Sequence, residues 1–351
     1  MTAPLTHGWV LDSGGAGRGA WQGGVLFEFM KWTRENGCYP QISMGASAGG
    51  YAAADVATGT EQTVLKGWTR WGRDVQPPAD KVPVEYRSFW GAGQFRLHLR
   101  SSIRYVMAES EVAGVFDSHR EKRLLIFTTR VRRRDGRAIG SGDDLRFFGK
   151  SLTRKLPRKL KYLPNLYHED PVVFAWNLPA ELASEYVRPL SPLNYHAVIE
   201  ASCLVPLAMG SPLRPFEVNG SSLSPAKWPN DENAVFMDGG YTLKMPMAIL
   251  ARDERFCGLA RWSQADKTLV FCCDPSGNLW ETSARLRNLN HDPEVVRAIR
   301  ENRLWVIYPD HTVEAGFLCH DNPVIMRTFE RGREQARRLL RSDAMRRFLT
   351  S

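Results

Sequence analysis

Ser47 lies at the centre of the sequence G-A-S-A-G, which runs from Gly45 to Gly49. The G-x-S-x-G spacing is typical of a sharp strand-to-helix turn that holds a serine hydroxyl in a strained, exposed position. Gly45 and Gly49 are the elbow glycines that would allow so tight a turn. A serine held in this way could attack a carbonyl carbon as a nucleophile, although an ordinary tight turn uses the same residue types.

A nucleophilic serine needs hydrogen-bond donors for the oxyanion that develops on the attacked carbonyl. A glycine-rich loop of the right kind follows a predicted strand and precedes a predicted helix; it consists of Gly14, Gly15, Ala16, Gly17, Arg18 and Gly19. The backbone N–H groups of Gly15 and Ala16 could approach a substrate closely there, and the dipole of the helix would favour negative charge. We therefore expect this loop to form an oxyanion hole and to bind substrate.

The serine also needs a base that takes up its proton. Asp238 is the candidate, because it follows the apolar run at 234–237 and precedes Gly239 and Gly240. A carboxylate at the end of a strand lies at the edge of a sheet, and the two glycines allow close backbone approach around it. A turn aspartate without a chemical role is the alternative interpretation of this residue taken alone.

The elements around these residues predict an α/β fold. A strand at 8–12 is followed by the glycine-rich loop, a helix containing Trp21 to Met30, a second strand at 39–44, and the G-A-S-A-G elbow. This order favours a right-handed crossover and a parallel sheet, with both loops at the carboxyl edge where α/β enzymes place their chemistry. Further strands are predicted at 123–129, 234–237 and 268–273, and a further helix at 195–202.

The glycine-rich loop, the G-A-S-A-G elbow and the D-G-G at 238–240 occur in the order and spacing of patatin-like phospholipases. From residue 8 to about 250 the chain resembles this family, and Ala201-Ser202, Pro206, Pro215 and Pro246 add to the resemblance. The resemblance implies a three-layer α/β/α fold with a mainly parallel central sheet. It also implies hydrolysis of phospholipids or related acyl esters by a Ser–Asp dyad. We expect no cofactor and no metal, because the sequence contains no cluster of His, Cys and Asp with ligand spacing. Carried to this sequence, Ser47 is the nucleophile, Asp238 the base and Arg18 the basic residue of the loop.

Composition and charge bear on organisation and partners. The formal net charge is +9, and basic residues concentrate at 130–137, 150–161 and 327–347. Such runs attract anionic surfaces, so we expect peripheral contact with an anionic membrane, with residues 149–168 as a mobile basic cap. We expect one domain, 1–351, with a motif-bearing core at 8–275, a basic insertion at 130–170 and a helical C-terminal extension at 276–351. The scattered cysteines and the lack of a signal peptide predict a cytoplasmic protein, whose oligomeric state stays open.

Other interpretations of the sequence remain open at this point. A Ser-His-Asp α/β-hydrolase would need a histidine late in the chain, and His291, His311 and His320 are available. The glycine-rich loop with Ala20 also fits a dinucleotide fingerprint, but no ribose-binding acid ends the second strand. A lipid- or nucleotide-binding module that lost catalysis is a further alternative. Nucleic-acid binding is not expected, because the basic residues form no recognisable binding motif.

Overall fold

The computed structural model describes residues 5–71, 99–100, 102–106, 108–116, 121–140, 143, 166–205, 212–213, 215, 218, 228, 231–243, 245–246, 253–281, 288–316, 319 and 321–350. Within these residues the chain forms one mainly parallel β-sheet between two layers of helices. This is the three-layer α/β/α architecture expected from the sequence. Residues 149–165 of the predicted basic cap at 149–168 lie outside the described residues.

Eight strands of the described chain belong to the sheet: β1 (His7–Leu11), β2 (Ile42–Ala46), β3 (Arg123–Arg133), β4 (Tyr167–Ala175), β5 (Val187–Pro189), β6 (Val235–Asp238), β7 (Lys267–Phe271) and β8 (Leu304–Ile307). Their order is β5-β4-β3-β2-β1-β7-β8, and β6 pairs with β3. Neighbouring strands are parallel in the series β3-β2-β1-β7-β8, and β4 is parallel to β5. β4 and β6 run antiparallel to β3.

The helices described by the structure are α1 (Gly15–Glu35), α2 (Ala48–Thr58), α3 (Glu61–Arg70), α4 (Glu109–Val115), α5 (Tyr195–Cys203), α6 (Cys257–Trp262), α7 (Pro293–Arg300), α8 (Asn322–Arg341) and α9 (Asp343–Thr350). α7 and α8 each begin with an aspartate N-cap, Asp292 and Asp321, whose side chain accepts a hydrogen bond from the first turn. Each of these two helices also has a proline near its start. The fixed φ of proline suits a helix, and its missing N–H costs nothing there, because N–H groups of the first turn have no partner within the helix.

Two apolar cores lie on opposite faces of the sheet, because successive strand residues point to opposite sides. Trp9 and Leu11 of β1 face α1, α2 and α8, where Trp9 packs edge-on against Phe29 at 6.4 Å between ring centroids. Val10, between them, faces the second core with Leu259 of α6. The buried alternation therefore fixes the register of β1 and, with it, the direction in which the glycine-rich loop leaves the sheet.

Strand β3 has two partners along one edge. β2 pairs with it as far as Ala46 opposite Phe127, and β6 continues from Asp238 opposite Thr128. β4 occupies the other edge of β3 over the same stretch. Because β2 runs parallel and β6 antiparallel to β3, the carboxyl ends of β2 and β6 point at each other. This junction is the feature that positions the candidate site.

All five predicted strands are present, with shifted ends, whereas three strands were not predicted. β4 and β5 fall in a region that the sequence analysis left without elements, and β8 falls in the segment 276–351 that was expected to be helical. That expectation is wrong for residues 304–307, since β8 pairs with β7 at the edge of the sheet. The division of the chain into one domain stays a prediction.

Candidate active site

The structure brings Ser47 and Asp238 together at the junction of β2 and β6. The Ser47 hydroxyl donates a hydrogen bond to Asp238 Oδ2 at 2.6 Å, although 191 positions separate the two residues in the chain. Their side chains are almost fully buried. Ser47 is the residue after β2 and Asp238 is the last residue of β6, so the meeting of two strand ends on β3 creates the pair.

The backbone at Ser47 has φ 57° and ψ −132°, a conformation that residues with a side chain rarely adopt. The elbow glycines make this turn possible. A β-carbon at Gly45 would lie 2.2 Å from the Gly49 carbonyl oxygen, and one at Gly49 would lie 2.2 Å from the carbonyl oxygen of Leu11. Any side chain at either position would therefore push α2 away from the sheet. The G-x-S-x-G spacing corresponds to a real strand-to-helix elbow.

The carboxyl group of Asp238 is held away from water. Burial raises its pKa to about 7, because the charged form loses its hydration. Hydrogen bonds from the Ser47 hydroxyl and from the backbone N–H groups of Gly240 and Tyr241 act in the opposite direction and keep the pKa from rising further. A carboxyl group with a pKa near neutrality can accept a proton and return it at physiological pH.

The glycine-rich loop lies beside this pair, at the start of α1. Gly14 is the N-cap of the helix and Gly15 has φ 69°, so the chain turns sharply as it leaves β1. The N–H groups of the first helical turn, at residues 15–17, have no partner within the helix. A β-carbon at Gly240 would lie 2.7 Å from Ser13 Oγ, so the residue just before the loop packs against the glycines that follow Asp238.

Residues that the sequence analysis did not select hold this loop in place. The backbone N–H of Cys273, just beyond β7, donates to Asp12 Oδ2 at 3.0 Å. A β-carbon at Gly14 would lie 2.5 Å from Cys273 Sγ, and one at Gly17 would lie 1.9 Å from the carbonyl oxygen of Gly316. No sequence motif marks these contacts, which come from segments far along the chain.

The remaining loop residues lie in α1. Ala16 is part of its first turn, and the side chain of Arg18 is exposed. Gly19 packs under Trp68 of α3, since a β-carbon there would lie 3.1 Å from the indole ring. The role of Arg18 toward substrate stays a prediction.

Arg130, the first residue of the basic run at 130–137, is not on the free surface that the charge of the run suggested. Arg130 of β3 and Arg188 of β5 are fully buried, and Arg188 donates to Asp231 at 2.6 and 2.7 Å. Arg130 lies 2.5 Å from Glu185 and 3.3 Å from both Asp170 and Asp231. Buried charges of this kind are tolerated only when paired. The cluster ties β3, β4 and β5 to Asp231, just before β6.

The histidine alternatives are not supported by contacts at this site. Among the described residues, no imidazole is bonded to the Ser47 hydroxyl or to the Asp238 carboxylate. His311 lies 2.7 Å from Asp310 near α8, and His291 ends a short turn before α7. His320 lies outside the described residues.

Comparison with known proteins bears on the whole arrangement. A family model described as patatin-like phospholipase matches residues 10–251, from the middle of β1 to beyond the D-G-G turn. No curated protein matches the chain. None of the described helices combines the length and the apolar character that crossing a membrane requires.

Proposed function

From the premise that the chain belongs to the patatin-like phospholipase family, we propose that it cleaves acyl esters of phospholipids or related lipids through Ser47 and Asp238. Family membership makes it a hydrolase of the lipase or phospholipase kind. The assignment of the two residues rests on the direct hydrogen bond between them at 2.6 Å. A hydroxyl bonded to a carboxyl group of near-neutral pKa has the partner that activation of a serine requires.

The reaction proceeds in two halves. The ionised Asp238 carboxylate takes the proton of the Ser47 hydroxyl while Oγ attacks the ester carbonyl, and the oxyanion accepts hydrogen bonds from N–H groups of residues 15–17. The alcohol leaves with the proton held by Asp238, and the acyl group stays on Ser47. Asp238 then takes a proton from water, whose oxygen attacks the acyl carbon. Release of the fatty acid returns the proton to Ser47 Oγ.

Covalent labelling tests the nucleophile directly. A fluorophosphonate ester, which phosphonylates activated serines with loss of fluoride, should label the protein once, on the peptide that contains Ser47. Hydrolysis of a soluble short-chain ester should fall in step with the labelled fraction. Labelling at another serine with loss of activity would contradict the assignment of Ser47, and full activity after complete labelling of Ser47 would contradict the mechanism.

The pKa of Asp238 sets the pH dependence. Only the carboxylate form can take the serine proton, so kcat/KM for a short-chain ester should fall about tenfold per pH unit below a midpoint near pH 7. An aspartate with the ordinary pKa of 3.8 would remain active down to about pH 4. A midpoint near 4 would therefore show that Asp238 is solvated or is not the base. The rate of fluorophosphonate labelling should follow the same pH curve.

Contacts with lipid beyond the ester remain part of this proposal. Arg18 is exposed on the first turns of α1, next to the proposed oxyanion hole, where a guanidinium could attract the phosphate of a phospholipid. Peripheral contact with anionic membranes through residues 149–168, and a cytoplasmic location, stay predictions.

A further inference from the structure

The end of α5 contacts the peptide groups of the proposed nucleophile. Ser202 is fully buried, and its hydroxyl donates to the carbonyl oxygen of Phe127 at 2.7 Å. Because a hydroxyl has a single hydrogen, the same oxygen must act as acceptor toward the Ser47 backbone N–H, which lies 3.0 Å away. The thiol of Cys203 donates to the Ser47 carbonyl oxygen at 3.2 Å.

The position of this hydroxyl follows from the ladder between β2 and β3. Arg123 N–H donates to the carbonyl oxygen of Gln41 at 2.7 Å, which fixes the register of the parallel pair. In a parallel pair the hydrogen bonds repeat every two residues along each strand. If the ladder between β2 and β3 continued past Ala46, its next bond would join the Ser47 N–H directly to the Phe127 carbonyl oxygen. In place of that bond, the oxygen of Ser202 lies between the two groups and bonds to both.

The inserted hydroxyl occupies the gap where β3 changes partner from β2 to β6. Without it, the Ser47 N–H and the Phe127 carbonyl would have to close the ladder bond or stay unpaired in the core, and an unpaired buried group is unfavourable. A closed bond would draw Ser47 into the extended conformation of β2. The observed φ of 57° instead turns its side chain toward Asp238.

We propose that Ser202 is a positioning residue for catalysis: its hydroxyl holds the Ser47 peptide off β3, which fixes the elbow and directs Ser47 Oγ at Asp238. Cys203 holds the next peptide group, through its bond to the Ser47 carbonyl oxygen. This inference rests on the proposed function. It also means that the Ser47 N–H is engaged and cannot serve the oxyanion, so those donors must come from other N–H groups, such as those of the glycine-rich loop.

Replacing Ser202 by alanine tests the proposal. We expect Ser202→Ala to lower kcat for a soluble ester by about 10- to 100-fold with little change in KM, because misplacing a reacting group by about 1 Å has effects of this size. The midpoint of the pH profile should also move upward, since a displaced Ser47 hydroxyl no longer lowers the pKa of Asp238. A role in folding alone would change neither kcat per folded molecule nor that midpoint.

Ser263 offers a matched control. It is a buried serine at the end of α6, its hydroxyl bonds only the Leu259 carbonyl oxygen among the described residues, at 2.8 Å, and it has no contact with the elbow. Ser263→Ala should keep the wild-type kcat and pH midpoint. If Ser202→Ala proves unstable, Ser202→Cys keeps the site filled while its thiol makes weaker and longer hydrogen bonds, and it should give an intermediate kcat.

The outcomes separate this inference from the proposed function. Suppose that the wild-type protein needs Ser47 for turnover, but that Ser202→Ala and Ser202→Cys keep the wild-type kcat and pH midpoint. That result would overturn the positioning role alone. If the wild-type protein hydrolysed no acyl ester, or if its hydrolysis did not require Ser47, the proposed function would be overturned and the inference with it. A selective loss of kcat in the Ser202 variants, absent in Ser263→Ala, would establish the role.

Discussion

Ser47→Ala should lower the hydrolysis of acyl esters by about 10³-fold or more while the protein stays folded. Loss of the attacking atom removes the covalent route, and only binding and the oxyanion donors remain to assist water. The hydroxyl of Ser47 bonds only Asp238 among the described residues, so its removal leaves the packing of β2 and α2 intact. Initial rates on a short-chain ester, with circular dichroism on the same samples, would measure both effects.

Ser43 provides the control for this substitution. It lies on β2, four residues before Ser47, and is also buried, but its hydroxyl bonds the carbonyl oxygen of Ala53 on α2. Ser43→Ala should keep activity close to that of the wild type. If Ser47→Ala were as active as Ser43→Ala, the nucleophile would have to be another residue.

Asp238→Asn should abolish turnover and stabilise the protein in alkaline solution. The amide of asparagine cannot take the serine proton, and we expect a loss in kcat of about 10³-fold or more. Stability should respond oppositely, because the amide carries no charge that burial would disfavour. Thermal unfolding at several pH values, beside ester hydrolysis, would test both halves.

The sign of the stability effect follows from the direction of the pKa shift. Burial raises the pKa of Asp238 from 3.8 to about 7, so the folded state favours the protonated form. That contribution is complete below about pH 4 and is lost as the pH rises through 7. The difference corresponds to roughly 4 kcal/mol at most, at about 1.36 kcal/mol per pKa unit. The advantage of Asp238→Asn should therefore be small at pH 4, grow between pH 4 and 7, and be largest at pH 8.

Asp231 makes the contrast sharper, since it is buried just before the same strand but pairs with Arg188 and Arg130. Removing its charge takes away the carboxylate that the buried Arg188 bonds at 2.6 and 2.7 Å and one of the three carboxylates around the buried Arg130. Asp231→Asn should therefore destabilise the protein at every pH, by about 3 to 5 kcal/mol. If Asp238→Asn and Asp231→Asn changed the stability equally, the charge of Asp238 would not be the unfavourable buried charge that the raised pKa indicates.

The parts of the site that short sequence patterns specify could be predicted. The glycines around Ser47 and the apolar run before Asp238 indicated an elbow and a strand end, and both occur where expected. Their meeting could not be derived from spacing, because it depends on β6 continuing the edge of β3 that β2 leaves. Resemblance to a family supplied that pairing, whereas the residues themselves did not.

The unpredicted strands have a physical explanation in β4. Its first half contains Glu169, Asp170 and Pro171, which are unfavourable in strands and favoured a loop. The strand forms because arginines of β3 face these acids, with Arg132 lying 3.0 Å from Asp170. The same pairing explains why a basic run that suggested an anionic partner is largely satisfied within the protein. Local patterns do not show such long-range charge pairing.

Part of the C-terminal basic run is paired within the protein in a similar way. Arg333 and Arg337 of α8 lie 2.8 and 2.7 Å from Glu28 of α1. Gly24 and Gly332 bring the two helix backbones into contact, since a β-carbon at either would lie about 2 Å from a carbonyl oxygen of the other helix. The sequence showed the charge of α8, but its partner lies on a helix near the start of the chain.

The place of β7 in the sheet has a consequence for biosynthesis. β1 is synthesised long before β7, although the two strands pair in the sheet, with His7 opposite Lys267. Cys273, just beyond β7, bonds Asp12 and so supports the glycine-rich loop. During synthesis, Ser47 is therefore present well before the segment that supports the proposed oxyanion loop. Under the proposed mechanism, the growing polypeptide becomes competent for ester hydrolysis only once β7 has joined the sheet.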